Sequence, residues 1–262
     1  MMKIPPYDLH IHTNLSVCST DPLQTVENIT KYAADHGIYT ICITNHVWDC
    51  EVPAGNDFYV RQPFHHIMKI REQIPEDTHG VRVLIGAEVE YAQHRPMLKK
   101  EYCNQLDFVL IPHSHIHMRG VVLPDSCTNF ALKAQYLKDS FISLIRHDAA
   151  TAVAHPFSPL GHDAYGARAI LSCLTDDDFA ECFTLAREHG TAIELNGTAF
   201  WKDWAFKETM YEHERVFAIA RDCGCTFTIG SDAHSMDRLP EISKAVLMAQ
   251  KLGIDEDRFL VI

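Results

Sequence analysis

The 262-residue sequence lacks several features that would assign it to a specialised class of protein. No stretch approaches the roughly 18 apolar residues that a membrane-spanning helix needs, which argues against an integral membrane protein. The first residues, MMKIPPYDLHIHT, carry a charge and prolines where a secretion signal would have an apolar run, so we expect a cytoplasmic location. Glycine and proline number only 12 each, which excludes collagen-like and low-complexity sequences.

Positive charge is also scarce. The sequence has 23 lysines and arginines against 35 aspartates and glutamates, a formal net charge of −12. A protein that binds nucleic acid or anionic membranes non-specifically needs a basic face, so we expect neither as a partner. A small anionic substrate remains compatible with this charge, because bound metal ions can supply positive charge locally.

Common catalytic motifs are missing as well. The sequence contains neither the Gly-x-Ser-x-Gly elbow of serine hydrolases nor a Walker loop. It does contain 17 histidines and nine cysteines. Because no export signal is evident, we interpret the cysteines as reduced thiols. A histidine content this high is typical of metal proteins, although a surface scatter of histidines would give the same count.

The sequence shows no linker, repeat or charge block, and we expect one domain over residues 1–262. Short apolar runs alternate with helical stretches along the whole chain. Runs that are apolar at nearly every position are typical of strands covered on both faces, and alternation with helices indicates parallel pairing. The sequence therefore predicts an α/β fold, a distorted (β/α)7 TIM-like barrel, with a doubly wound open sheet as the alternative.

Metal-ligand residue types follow the predicted strands. The segments after the seven strands contain, in order, His10 and His12, His46, Glu88, a run from His113 to His117, His155, Glu194 with Asn196, and Asp232 with His234. The carboxyl ends of parallel strands converge on one rim, so these side chains should surround one pocket. His-x-His places two imidazoles on the same side of a strand, where they can bind one ion.

The number of candidate ligands exceeds the four of a closed structural zinc site. It suits two or three divalent ions that share a bridging carboxylate, for which Glu88 is the natural candidate. Paired ions polarise a phosphoryl oxygen and acidify a bridging water, so such a site needs no nucleophilic side chain.

Taken together, the motifs resemble those of the PHP (polymerase and histidinol phosphatase) family. The matching segments are Asp8–Thr13, Ile43–His46, Gly86–Glu88, Ser114–His115, Ala154–Pro156 and Gly230–His234. Their order along the chain is the family's order. The resemblance implies a distorted (β/α)7 barrel with a trinuclear site at the C-terminal ends of the strands, which hydrolyses phosphoesters.

Carried over by position, the resemblance implies three ligand sets. The first ion would bind His10, His12, Glu88 and Asp232; the second would share Glu88 and add His115 and His155; the third would use His46 and His234. The sequence departs from the family at Cys18, where a histidine or aspartate is usual, and at Asn45, which replaces an aspartate. Cys18 could ligate the third ion through sulfur, Asp21 could replace it, or the third site could be weak or empty.

Substrate contacts are less constrained by the sequence. Arg119 and Arg168, the latter in a predicted loop from Ser158 to Arg168, are candidates for binding the phosphate. His115 fits the family pattern for a ligand, whereas His113 and His117 alternate with it and could contact substrate. The segment Val47–Gln62, with Trp48, Phe58 and Tyr59, could cover the pocket or pack on the surface.

These observations predict a metal-dependent hydrolase of a small phosphomonoester, similar to histidinol phosphatase or a nucleotide phosphatase. It would use two or three zinc, manganese or iron ions and a hydroxide that bridges them. Asp232 and His234 are the expected catalytic proton carriers. The alternatives are a zinc hydrolase of C–N or C–O bonds of amidohydrolase type and a metal-binding module without turnover.

Overall fold

The computed structural model describes residues 6–198 and 207–262. The strands within these ranges are β1 (Tyr7–Ile11), β2 (Thr40–Ile43), β3 (His46–Val47), β4 (Arg82–Val89), β5 (Tyr91–Ala92), β6 (Arg95–Pro96), β7 (Phe108–Pro112), β8 (Ala152–Ala154), β9 (Ala192–Asn196) and β10 (Phe227–Gly230). Seven of them pair in the order β1-β2-β4-β7-β8-β9-β10, and short β3 pairs with β4 beside that path. Strands β5 and β6 form a separate antiparallel hairpin.

The seven ordered strands are parallel and nearly closed into a barrel. Closure occurs where β1 meets the segment that follows β10. The amide of Asp232 donates to the carbonyl of His10 at 2.8 Å, and the amide of His12 donates to the carbonyl of Ala233 at 3.0 Å. The predicted seven-stranded barrel is confirmed, and the open doubly wound sheet is excluded.

Helices connect the strands on the outside. They are α1 (Val26–Asp35), α2 (Asp57–Val60), α3 (Phe64–Ile67), α4 (Ile70–Gln73), α5 (Lys100–Cys103), α6 (Phe130–Arg146), α7 (Ala164–Leu171), α8 (Asp176–His189), α9 (Lys207–Asp222) and α10 (Ile242–Leu252), with short 3-10 helices at Met236–Glu241 and Glu256–Arg258. Within the described ranges, no helix combines the length and apolar character needed to cross a bilayer.

The ends of the helices follow their local sequence. Thr175 and Asp178 form a reciprocal capping box at the start of α8, and Gly190 ends that helix in the left-handed conformation. Asp21 followed by Pro22 has the sequence of a helix start, yet α1 begins only at Val26. Thr25 is its N-cap, because the Asp21 carboxylate instead accepts the amides of Leu23 and Met236.

A hydrophobic core fills the space between the barrel and its helices. Phe141, Phe157 and Phe183 pack together with ring centroids 5.1–5.8 Å apart, and all three side chains are fully buried. Each buried phenylalanine contributes roughly 1.5–3 kcal/mol relative to an exposed one. This packing fixes the strands, and therefore the positions of the residues at their carboxyl ends. All nine cysteines are free thiols.

Candidate metal centre

The carboxyl ends of the barrel strands surround a cavity of about 640 Å³. Its lining includes seven of the nine residues predicted as ligands, namely Cys18, His46, Glu88, His115, His155, Asp232 and His234. The other two, His10 and His12, lie directly beneath, in contact with Glu88 and Asp232. All nine residues therefore meet at one end of the barrel. Eight of them form three groups that could each hold an ion, and the ninth, Asp232, lies against the two histidines of the first group.

The first group has the spacing of a tetrahedral site. Nε2 of His10 lies 3.4 Å from both Glu88 Oε2 and Asp232 Oδ1, and Nε2 of His12 lies 3.3 Å from the same two oxygens. The two Nε2 atoms are 3.1 Å apart. Ligands about 2.0–2.1 Å from a tetrahedral ion stand roughly 3.3–3.4 Å from one another. The four atoms are thus placed as a small cation would require.

The second group uses the other oxygen of the same glutamate. Glu88 Oε1 lies 3.2 Å from Nε2 of His155 and 3.5 Å from Nε2 of His115. Because Oε2 belongs to the first group and Oε1 to the second, Glu88 has the geometry of a bridging carboxylate. The carboxylate itself is 1% exposed.

The third group lies further out and contains His12, Cys18, His46 and His234. Potential ligand atoms of these four residues lie within 4.8 Å of one another. The His12 and His234 rings stack with centroids 4.1 Å apart. Cys18 therefore stands among histidines, whereas the carboxylate of Asp21, the alternative considered from the sequence, is committed to backbone amides.

The donor set fits metal ions, because the buried atoms lack enough hydrogens to satisfy one another. Two imidazole Nε2 atoms of His10 and His12 face each other, and two carboxylates point between them. Nδ1 of His46 is buried 3.0 Å from Glu88 Oε2, yet no hydrogen bond from the described part of the chain satisfies it. Buried polar atoms normally have partners, and divalent cations would supply them here.

The histidines are oriented from behind by acidic and hydroxyl side chains. Nδ1 of His10 donates to Glu194 at 2.7 Å, Nδ1 of His115 donates to Glu90 at 2.7 Å, and His155 Nδ1 lies 2.9 Å from the Ser114 hydroxyl. Such partners fix the ring and direct the opposite nitrogen toward the metal.

The orienting roles of these residues were not predicted from the sequence. Glu90 also accepts hydrogen bonds from the Tyr59 hydroxyl and the Tyr91 amide. The available signal was its position two residues after Glu88 and directly after the end of β4, where strand alternation places both side chains on one side. For Glu194, the corresponding signal was its place in β9, two residues before the strand ends at Asn196.

Burial and neighbouring charges shift the pKa values of the candidate metal ligands in opposite directions. Burial would lower the pKa of His115, but the Glu90 carboxylate raises it to about 9. Burial and the neighbouring His12 lower the pKa of His234 to about 3, and burial also lowers that of His46. Burial, together with Glu88 and Asp232, raises the pKa of the Cys18 thiol to about 12. Without a cation, Cys18 therefore keeps its proton.

The backbone turn that follows the last strand, β10, holds Asp232 in position. This residue has a φ of 56°, in the left-handed region that aspartate tolerates better than most residues. The buried Asp8 carboxylate holds the turn by accepting the amides of Ser231 at 2.9 Å and His10 at 3.3 Å. Gly230 is required beside it, because a Cβ there would collide with His10 and Glu194.

The predicted substrate contacts are only partly located at the cavity. His117 lines it, as does Phe58, but neither Arg119 nor Arg168 is among the lining residues. Arg168 lies on α7 rather than in the predicted loop, and its side chain is exposed. Arg238, which the sequence analysis overlooked, is the arginine found in the lining.

The expectation for His113 is corrected, and the alternatives left open for the segment Val47–Gln62 are resolved residue by residue. His113 is fully buried away from the cavity: its Nδ1 donates to the Leu137 carbonyl, and its Nε2 accepts the Phe157 amide. It therefore supports the core and has no free nitrogen for substrate. In the segment Val47–Gln62, Trp48 is a core residue, whereas Phe58 and Tyr59 form part of the cavity wall.

Comparisons with known proteins agree with this geometry. The PHP domain family matches residues 8–198, so the chain belongs to this family. A probable phosphatase of Acetivibrio thermocellus is 26% identical over 232 residues, covering 87% of this chain and 78% of that protein. A probable phosphatase of Shewanella sp. strain MR-4 is 24% identical over 257 residues, covering 97% of this chain and 86% of that protein.

Among solved structures, histidinol phosphate phosphatase from Lactococcus lactis, complexed with zinc, L-histidinol and phosphate, has a similar fold. The TM-score is 0.64 at 19% identity, over 96% of this chain and 95% of that one. At this level of identity the similarity shows a shared fold.

Proposed function

We propose that this protein is a metal-dependent phosphatase that hydrolyses a small phosphomonoester. The observation that carries the proposal is the bridging geometry of Glu88, whose two oxygens belong to two adjacent groups of metal-ligand atoms. The names of the relatives from Acetivibrio and Shewanella, and the phosphate ester that the Lactococcus enzyme acts on, point to the same chemistry.

In this proposal, one ion binds His10, His12, Glu88 and Asp232, and a second binds Glu88, His115 and His155. A third binds Cys18, His46 and His234, with zinc, manganese and iron as candidates. Bound divalent ions supply Lewis acidity toward the phosphoryl oxygens and a water that loses a proton near neutral pH. A site of this kind needs no nucleophilic side chain. This agrees with the absence of a Gly-x-Ser-x-Gly elbow from the sequence.

Asp232 and His234 are the residues we assign to proton transfer. Asp232 Oδ1 faces His10 and His12, while Oδ2 accepts a hydrogen bond from Asn196 at 3.4 Å. His10 and His12 keep the pKa of Asp232 well below its ordinary value despite burial, so it is ionised and would pass on quickly any proton that it takes up. Nδ1 of His234 donates to the Asp232 carbonyl, which leaves Nε2 for an ion or a proton.

His117 and Arg238 are the residues we assign to substrate contact. Both line the cavity outside the ligand groups, and Arg238 adds a guanidinium to a wall otherwise rich in imidazoles. Guanidinium groups bind phosphate oxygens through paired hydrogen bonds. A cavity of about 640 Å³ accommodates a substrate the size of histidinol phosphate or a nucleotide.

The direct test is a comparison of aryl phosphate and aryl ester hydrolysis. Protein loaded separately with zinc, manganese or iron should hydrolyse 4-nitrophenyl phosphate, lose that activity on chelation and regain it on reloading. Hydrolysis of 4-nitrophenyl acetate should remain much slower. Faster ester than phosphate hydrolysis would favour the amidohydrolase-type alternative, and no hydrolysis of either would favour a module without turnover.

We further propose that residues 1–262 form one domain and that the protein acts in the cytoplasm. The first part is supported by the barrel, whose strands extend from Tyr7 to Gly230 and share one continuous sheet. The proposed cytoplasmic location rests on the composition of the sequence.

A further inference from the structure

A group of basic side chains lies beside the candidate metal centre. It consists of Arg119, Lys133 and His162, which we call the rim cluster. The ammonium of Lys133 lies 3.3 Å from Nε2 of His162. The charge of Arg119 acts on both: after burial, Arg119 is the next contribution that lowers the pKa of Lys133, and it also contributes to lowering that of His162.

Lys133 is unusual because it is buried without a carboxylate partner. Its side chain is 4% exposed, and among the described residues it makes no ion pair within 4.0 Å. Buried lysines are rare unless they are paired, because desolvating the ammonium is costly. In a chain with a net charge of −12, a carboxylate partner would be easy to provide.

The helix termini add positive charge at the same place. Lys133 is the fourth residue of α6, and His162 directly precedes Asp163, the N-cap of α7. A helix N-terminus favours anions and disfavours cations. The Asp163 carboxylate accepts the Gly166 amide at 2.8 Å as a helix cap and partly offsets the positive charge around His162, but it forms no ion pair with Lys133. Among the described residues, the Lys133 ammonium thus has the Phe130 ring 5.8 Å away but no carboxylate within ion-pair distance.

The rim cluster borders the cavity along two segments of chain. His117 and Leu160 both line the cavity, and each lies two residues before a member of the cluster. Two residues of chain span at most about 7 Å. The two segments also touch, since Gly161 packs so closely on His117 that a Cβ at position 161 would overlap it.

We propose that the rim cluster binds a second anionic group of the substrate, a carboxylate or a second phosphate, while the phosphoester occupies the metal centre. This inference rests on the proposed function and narrows its substrate class to phosphomonoesters with two acidic groups separated by a short linker. The bound anion supplies the charge that Lys133 lacks, and Arg119 and His162 complete its coordination.

The test uses alkyl phosphates of increasing length, each with a terminal methyl, carboxylate or phosphate group. Release of phosphate by the metal-loaded protein gives kcat/KM for each compound. A hydrogen-bonded ion pair is worth enough to predict at least about a tenfold preference for an anionic terminus at one optimal length. Comparing the carboxylate and phosphate series shows which group the cluster takes.

Three variants make the test specific. The preference is the ratio of kcat/KM for a compound with an anionic terminus to that for the methyl-terminated compound of the same length. This ratio should fall toward one in Arg119→Ala, in Lys133→Met and in the double variant. The kcat/KM for the methyl-terminated compounds should stay within about twofold of the wild-type value. Arg146→Ala, which removes an exposed charge from the last turn of the same helix, should leave the preference unchanged. A wild-type protein without any length-dependent preference, or a preference that survives in the double variant, would overturn the inference.

Failure of the proposed function would look different. If no compound is hydrolysed by any metal-loaded form, the phosphatase assignment fails, and the same series is then measured by calorimetric binding. A length-dependent affinity for anionic termini that the double variant loses would still support the rim cluster.

Discussion

The inner and outer parts of the metal centre are built differently. The inner ligands meet at Glu88, are almost completely buried, and have their histidines oriented by Glu194, Glu90 and Ser114. In the outer group, Nδ1 of His46 has no hydrogen-bond partner among the described residues, Nδ1 of His234 donates to a backbone carbonyl rather than to a carboxylate, and Cys18 is partly exposed.

This difference has a thermodynamic consequence. Carboxylates behind a ligating histidine typically strengthen metal binding about 10- to 100-fold. Only the inner groups have them. The outer group must also displace the proton of Cys18, whose pKa is raised to about 12. We therefore expect the inner ions to be retained firmly and the outer ion to exchange readily.

Removing the bridge should have the largest effect. Glu88→Gln leaves the size of the side chain unchanged but takes away the negative charge shared by both inner groups. We expect phosphatase activity to fall by roughly three orders of magnitude, because bound metals contribute several kcal/mol of transition-state stabilisation. Steady-state kinetics and elemental analysis would check this, with exposed His79→Gln as the control. Near wild-type activity and metal content would contradict the bridging role.

The orienting carboxylates should have an intermediate effect. Glu194→Gln and Glu90→Gln retain the shape of the acceptor but remove the charge opposite His10 and His115. Each should lower the affinity of its own inner site by about 10- to 100-fold, measured by competition with a chromogenic chelator. Ser114→Ala, which loses a neutral partner of His155, should have a smaller effect. If all three variants lowered metal affinity equally, a carboxylate partner would orient a ligating histidine no better than a hydroxyl partner does.

Changing the sulfur ligand should have the smallest effect. Cys18→Ser should weaken only the outer ion, with the two inner ions retained and activity reduced by less than tenfold. In cobalt-substituted protein, we expect a thiolate-to-cobalt absorption band in the wild type that the variant lacks. Absence of this band from the wild type at full cobalt loading would show that Cys18 is not a ligand.

Much of this arrangement was accessible from the sequence. The largely apolar run from Val81 to Val89 coincides with β4 within one residue, because such a run bounded by polar residues leaves few choices for the position of a strand. His10, Glu88 and Asp232 could be placed together for a topological reason, since parallel strands deliver their carboxyl ends to one rim.

The errors arose where tertiary contacts override local patterns. Alternation predicted that His113 and His115 share a side, but β7 ends at Pro112, and the chain then turns His113 into the core. Asp21 has the sequence of a helix cap, yet its carboxylate is drawn to the amide of Met236, more than 200 residues away. Arg238 was overlooked because nothing local to it indicates that the chain folds back over the cavity.

The most direct test of the account is the metal content of the protein during graded chelation. Purified without chelators and loaded to saturation, the wild type should hold close to three ions per chain, lose one at low chelator concentration and retain two until much higher concentration. Loss of all ions in a single step would contradict the difference between inner and outer groups. One ion or none after reloading would contradict the bridged metal centre itself.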